Sequence, residues 1–211
     1  MIGKTKHITQ REGIIFILSA PSGTGKTTLI KGLRANYPEI RLSVSFTTRT
    51  RRPGEIHGRD YYFVRSTKFA AMKAHGDFAE WAKVHDFFYA TPRRPLDQCV
   101  RDGQDILLDI DVQGARKIKR KYPQAVSIFL LAPSWRELQR RLALRGTDGK
   151  ETIRRRLVNA RGEITEIIKY DYYVVNREVK TSVELLKSIV EAERAKTFRV
   201  KRWRIEPLHR Q

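Results

Sequence analysis

The chain has 211 residues, enough for one compact domain with inserted lobes around a sizeable core. Its 40% hydrophobic and 31% charged residues, with no run of about 18 apolar residues, read as a soluble globular protein without a membrane span. The single Cys99 excludes an internal disulfide and the first 13 residues lack the apolar stretch of a signal peptide, so a reducing, cytoplasmic location is expected. A formal net charge of +20 favours polyanionic partners, nucleotides or nucleic acid, although much of the excess falls on stretches such as 116–121 and 136–145 that read as solvated helix faces.

The stretch 13–29, GIIFILSAPSGTGKTTL, organises the chain. The apolar run 14–18 suits a buried strand, it breaks at Ser19-Ala20-Pro21-Ser22-Gly23-Thr24-Gly25, and a helix starts near Lys26-Thr27. A strand, a glycine-rich turn and a helix start make a phosphate cradle, because backbone N–H groups and the positive end of the helix dipole face its hollow. Lys26 reaches the β- and γ-phosphates of a nucleoside triphosphate in such a loop, and the Thr27 hydroxyl ligates Mg²⁺. The pattern G-x-x-x-x-G-K-[ST] has one mismatch, since Ala20 takes the place of the first glycine.

The helix continues from Thr28 and stops at Tyr37-Pro38. Residues 42–46 read as one short strand, 47–60 as a polar, breaker-rich segment, and 61–64 as a strand; Ser66 is a candidate cap for a helix through His75. Strands are expected at 78–84 and 87–90 around a turn at His85-Asp86, so that 43–91 forms a small mixed lobe. A helix at 92–101, a strand at 105–110 ending in Asp109-Ile110-Asp111, a helix at 112–121 and a strand at 127–131 follow. This alternation implies right-handed crossovers and a parallel sheet, with ligands at the carboxyl ends of the strands. Ser134 caps a helix through Leu144, a loop at 145–150 leads to a second helix at about 152–168, and the pair has the form of a mobile lid. The last strand is expected at 172–175, the last helix at 182–196, and a basic tail after Arg199.

With these segments placed, the chain resembles the guanylate kinases, P-loop enzymes that phosphorylate GMP. The resemblance spans about 13–199. Its most specific stretch is SVSFTTRTRRPGEIHGRDYYF at 43–63, supported by ILLDIDVQGA at 106–115, RGTDGKETIRRRL at 145–157 and YDYYVVN at 170–176. It implies an α/β fold: a P-loop NTPase core of parallel sheet flanked by helices (13–42, 92–133 and 171–199), an inserted small mixed α/β GMP-binding lobe (43–91), and a helical lid with its following helix (134–170), leaving 200–211 as the tail. It also implies transfer of the ATP γ-phosphate to GMP and dGMP, with ATP and Mg²⁺ bound.

Residue by residue, the resemblance gives the ATP phosphate loop to Ala20, Pro21, Ser22, Gly23, Thr24, Gly25, Lys26, Thr27 and Thr28, and the metal to Thr27 and Asp109. Arg49, Arg52, Tyr61 and Tyr89 match positions that hold the GMP phosphate; Ser45, Glu80, Thr91 and Asp111 match those that read guanine. Arg141, Arg145 and Arg156 match lid arginines that close on the triphosphate, and Asn176 lies on the loop that approaches adenine. The residue types suit the chemistry: lysine and arginines offset phosphoryl charge, and ionised carboxylates accept from guanine N1–H and N2–H₂. Glu80, among Phe78 and Trp81, is costly to bury without a partner, which favours a ligand role.

Two departures stand out. Asp86-Phe87-Phe88-Tyr89-Ala90 replaces the usual Gly-Asn-Tyr-Tyr-Gly, and Gly149-Lys150 replaces Ser-Glu. Two other readings are open: a guanylate-kinase-like module that binds phosphopeptides without catalysis, against which Lys26, Thr27 and the lid arginines speak, and a P-loop protein that binds nucleic acid. For the tail, weak non-specific nucleic-acid binding is expected through Arg199, Lys201, Arg202, Arg204 and Arg210.

Overall fold

The computed structural model describes residues 10–84, 86–144 and 149–202. The core is a five-stranded parallel sheet of β2 (Ile15–Ser19), β3 (Arg41–Leu42), β8 (Ile106–Asp109), β9 (Val126–Leu131) and β10 (Tyr172–Val175), in the spatial order β10-β9-β2-β8-β3. Strand β2 is central and buried along its whole length, as expected for a strand covered on both faces. Its side chains alternate between two cores. Phe16 and Leu18 pack with Leu29, Leu33, Leu186 and Val190 on one face, and Ile15 and Ile17 with Leu96, Ile106, Leu108 and Ile118 on the other.

The first face is closed by α1 (Lys26–Asn36) and α7 (Val179–Arg194). They approach closely: a Cβ on Gly32 would lie 2.6 Å from Val183 Cγ2. Helix α1 begins at Gly25 with no side-chain cap. A missing cap costs about 1 kcal/mol, whereas burying Leu29 and Leu33 stabilises by about 1.5–3 kcal/mol each, so packing holds the helix while its first N–H groups stay open for a ligand. Helices α3 (Arg93–Arg101) and α4 (Val112–Lys121) close the second face.

The lobe carries a separate four-stranded sheet, ordered β5 (Tyr62–Phe63), β4 (Phe46–Thr47), β7 (Phe87–Pro92), β6 (Phe78–Val84), with α2 (Ser66–His75) packed on it through Phe69. Ala90, one of the departures in the turn stretch, is buried in this small core, and β7 pairs with both β4 and β6. The ladder therefore accommodates the added methyl. The segment expected to act as a lid folds as α5 (Trp135–Leu144) and α6 (Lys150–Thr165), packed together through Leu138, Leu142 and Ala160 and followed by a 3₁₀ turn, Glu166–Lys169.

Several expectations are corrected. Residues 42–46 are not one strand: Leu42 ends β3 in the core sheet, Phe46 opens β4 in the lobe sheet, and 43–45 cross between them. Ser66 is the first residue of α2 rather than its cap; Arg65 holds that place in extended conformation, with no side-chain cap bond. Ser134 does cap α5, accepting from Glu137 N at 3.1 Å. The last helix starts at Val179, three residues early, and ends at Arg194. The tail does not simply leave the domain, because β11 (Val200–Arg202) pairs antiparallel with β1 (Gln10–Arg11). Arg199 is no surface cation: it is 4% exposed and donates to buried Glu193 at 2.8 Å. Burial alone would raise the Glu193 carboxyl, but hydrogen bonds from Lys196, Tyr172 and Arg199 hold it below its ordinary value. Arg204 and Arg210 lie outside the described residues.

Candidate active site

The carboxyl ends of β2, β8 and β10 point the same way, and the chain runs from them into the glycine turn, into Asp109–Asp111 and into Asn176. A parallel sheet collects ligand-binding loops at this edge. Gly23 and Gly25 both take φ +91°, and side chains there would meet the lid and Asn176: a Cβ on Gly25 would lie 2.6 Å from Asn176 Nδ2. Thr24 folds back onto the Pro21 carbonyl through its hydroxyl at 3.0 Å. The open first turn of α1 faces the hollow, Thr27 is exposed in it, and Lys26 Nζ lies 2.5 Å from Asp109 Oδ1.

A cleft of about 770 Å³ runs from this loop to the lobe. It is lined by Ala20, Pro21, Ser22, Gly23, Thr24, Gly25, Lys26 and Thr27 on the core side, and by Arg49, Arg52, Tyr61 and Tyr89 on the lobe side. Thr28 lies behind the loop on α1, its amide bonded to the Gly25 carbonyl. Sequence reading missed Lys31, Arg34, Glu55 and Arg59, which also line the cleft. Lys31 and Arg34 stand one and two turns along α1 from the phosphate loop, and that helical spacing was the available signal.

Arg49 is 8% exposed, with its guanidinium 5.5 Å and 5.6 Å from the ring centres of Tyr61 and Phe63. The Tyr61 and Tyr89 rings meet at 5.9 Å. Burial, and then the nearby Asp109 carboxylate, push the Tyr61 hydroxyl up to about 12, so it keeps its proton and can donate. Cations and phenolic donors facing one cleft suit a phosphate oxygen.

Tyr89 and Thr91 alternate onto one face of β7, so a group held at Tyr89 continues toward Thr91. Thr91 Oγ1 donates to Glu80 Oε1 at 2.7 Å, across the β6–β7 pair. The other oxygen of Glu80 is buried and accepts no hydrogen bond among the described residues. Burial pushes this carboxyl up to about 7, while the Thr91 hydrogen bond opposes the rise and Asp111 adds to it. Asp111 caps α4, its Oδ1 accepting from Gly114 N at 2.9 Å. A Cβ on Gly114 would lie 3.1 Å from Glu80 Oε2 and 3.3 Å from Asp111 Oδ1, so the two carboxyl groups converge beside this glycine and a side chain there would crowd both. Ser45, the last residue before β4, is buried. Two converging carboxyl groups, one with an oxygen that has no donor among the described residues, suit a ring edge that presents N–H groups.

The lid contacts the phosphate loop. Arg141, held by Glu137 at 2.7 Å, donates to the carbonyls of Thr24 at 3.2 Å and Asn176 at 3.3 Å. Asn176 spends its amide inside the protein, donating to the Thr24 carbonyl at 2.7 Å and accepting from Ser182 at 3.2 Å. It braces the loop. Arg156 is half-buried on α6, and Arg145 lies outside the described residues. Glu163, also missed from sequence, comes near Lys26 and Asp111; burial pushes its carboxyl up to about 7 although Lys26 pulls it down.

A glycine turn, an uncapped helix and a lysine at the carboxyl edge of a parallel sheet define a P-loop nucleotide-binding protein. A family model described as guanylate kinase matches residues 12–193. The guanylate kinase of Geobacter metallireducens is 51% identical over 191 residues, covering 90% of this chain and 94% of that one. That of Geobacter sulfurreducens is 50% identical with the same coverage. The crystal structure of guanylate kinase from Anaplasma phagocytophilum matches with a TM-score of 0.76 at 36% identity, over 92% of each chain. The chain belongs to the guanylate kinase family.

Proposed function

We propose that the chain transfers the γ-phosphoryl group of ATP to GMP, giving ADP and GDP. The observation that carries this reading is that one cleft joins the phosphate loop with Lys26 to the arginine and tyrosine cluster of the lobe. Residues 43–91 act as the GMP-binding lobe and 134–170 as the lid and following helix, over a core of 13–42, 92–133 and 171–199.

A GMP phosphate oxygen forms the new bond to the γ-phosphorus, and the bond to the β–γ bridging oxygen breaks, its electron pair leaving with ADP. The nucleophile is already anionic, so no general base is required. Positioning and charge compensation carry the rate. Arg49, Arg52, Tyr61 and Tyr89 hold the GMP phosphate; Lys26 and the loop N–H groups hold the transferring and leaving oxygens; Arg141, Arg145 and Arg156 close from the lid. Ser45, Glu80, Thr91 and Asp111 accept from and orient guanine.

The Thr27 hydroxyl and the Asp109 carboxylate are hard oxygen donors at the phosphate loop and fit Mg²⁺. Among the described residues no group of three or more His, Cys, Asp or Glu side chains is placed to hold a metal, as suits an ion that borrows most of its ligands from phosphates and water. Bound there, Mg²⁺ supplies charge neutralisation on the β- and γ-phosphate oxygens. No helix among the described residues is long and apolar enough to cross a membrane.

The test is a coupled assay of ADP formation from ATP with GMP, dGMP, AMP, CMP and UMP as acceptors. Turnover with GMP and dGMP alone supports the reading. ADP formation independent of any nucleoside monophosphate refutes it.

A further inference from the structure

We infer that Glu55 is a positioning residue for the acceptor phosphate: it fixes one edge of the Arg49 guanidinium and leaves the other edge facing the cleft. The inference rests on the reading of that cleft as the GMP phosphate site.

The count of donors makes the case. An arginine carries five N–H donors in a fixed plane. Glu55 Oε2 accepts from Arg49 Nη1 at 3.0 Å and Oε1 from Nη2 at 2.7 Å, a two-bond fork on the end of the guanidinium. The other Nη1 donor goes to the Thr50 carbonyl at 2.7 Å. What remains is the side edge, Nε with the second hydrogen of Nη2; Arg49 lines the cleft, with Tyr89 beside its guanidinium. Two N–H groups side by side match two phosphate oxygens. The hydrogen bonds that Arg49 donates to Glu55 favour the charged guanidinium, and the same bonds hold the Glu55 carboxyl below its ordinary value.

Glu55 is itself fixed. Its Oε2 also accepts from the Arg52 backbone N–H at 2.8 Å, and its own N–H donates to the Arg52 carbonyl at 3.2 Å. Gly54, at φ +83°, makes the reversal that lets the carboxylate reach back to Arg49. One carboxylate therefore registers both phosphate arginines, through the side chain of one and the backbone of the other. A bare anion in this cleft would repel a phosphate, so the electrostatic and positioning roles predict opposite signs when the charge is removed.

Glu55→Gln keeps the volume but offers one acceptor and one NH₂ where two acceptors are needed. The experiment measures KM for GMP and for ATP, kcat, and guanosine binding by inhibition, for the wild type, Glu55→Gln and Glu55→Asp. In the Gln variant KM for GMP should rise roughly tenfold, the size of one lost charge-assisted bond, with KM for ATP and guanosine binding unchanged. The Asp variant keeps the charge but loses the reach, and should show the same split. In an Arg49→Lys background the Gln substitution should add little. GMP binding that is unchanged or tighter in Glu55→Gln overturns the inference, as does a loss that guanosine shares equally. Failure of the wild type to phosphorylate GMP would instead overturn the assignment of the cleft.

Discussion

Lys26 Nζ and Asp109 Oδ1 meet at 2.5 Å, across the gap between the phosphate loop and the end of β8. The pair sets the lysine over the hollow with both side chains partly exposed, so the pairing itself adds little stability. Lys26→Met should therefore fold normally, with a melting temperature near wild type. The lost positive charge at the phosphoryl transition state should lower turnover on the order of 10³-fold or more. Near-normal kcat in the coupled assay would remove Lys26 from the site.

Base choice should depend on Glu80. Adenine presents an acceptor at N1 and no amino group at C2, so the free Glu80 oxygen would face a lone pair. Glu80→Gln can donate as well as accept. It should lower kcat/KM for GMP by about 10²-fold, matching a charge-assisted bond of roughly 1.5–3 kcal/mol, while AMP loses much less. The readout is the GMP/AMP ratio of kcat/KM in both proteins; a constant ratio would exclude Glu80 from base reading.

The same carboxylate makes ligand-free stability depend on pH. Its folded value of about 7 lies above the ordinary 4.5, so the folded state binds the proton more tightly. The stabilising contribution is complete below pH 4.5 and is lost as pH rises through 7, by about 3 kcal/mol in the limit. Glu163, raised in the same sense, adds to the trend. Glu80→Gln should thus gain in melting temperature relative to wild type between pH 5 and pH 8. Parallel melting curves across that range would contradict the assignment.

Arg199→Ala tests the network under the last helix. Glu193 is 1% exposed and accepts from Arg199, Tyr172 and Lys196. Removing the guanidinium leaves a buried carboxylate short of a partner, which should cost about 3 kcal/mol in denaturant unfolding. Because the Glu193 carboxyl is held low, this stability is present above its ordinary 4.5 and lost as pH falls below it; the variant should lose less on acidification. A change under 0.5 kcal/mol, the range of ordinary surface substitutions, would show the network to be dispensable.

Lobe and lid should close together. GMP plus a non-hydrolysable ATP analogue should shorten label distances between the lobe and the lid and reduce the radius of gyration, excluding water from the transfer. Scattering curves that superpose with and without both ligands would count against closure.

The P-loop, the strands of the parallel core after it and α4 were legible because their signals are local: an apolar run, a glycine turn, a helical period. The break at 43–45 was not, since two-residue strands in different sheets preserve one alternation across the crossing. The pairing of β1 with β11 joins chain segments about 190 residues apart, and nothing in either segment announces the other. Arg199 and Glu193 are near neighbours in sequence, but burial turns that pair from a surface feature into a structural one. Glu55 reads as one more polar turn residue until Gly54 folds it onto Arg49. Asp109 and Glu80 were legible as carboxylates in unusual surroundings; the bond Glu80 lacks is visible only in three dimensions.

The lobe is carried on two narrow crossings, 43–45 on the way out and the junction of Pro92 with Arg93 on the way back. The return is pinned, for Arg93 N donates to the Asp77 carbonyl at 2.8 Å and the Arg93 side chain to the Gly76 carbonyl. Ser45 ends the first crossing and Thr91 precedes the second, so two of the residues proposed to meet the guanine ring stand beside the crossings that carry the lobe. On the proposed assignment, a turn of the lobe about these crossings would flex the backbone beside the base-reading residues. If the proposed guanine site and lobe closure both hold, base reading and closure share the same few backbone bonds, so a badly seated base should slow closure as well as weaken binding.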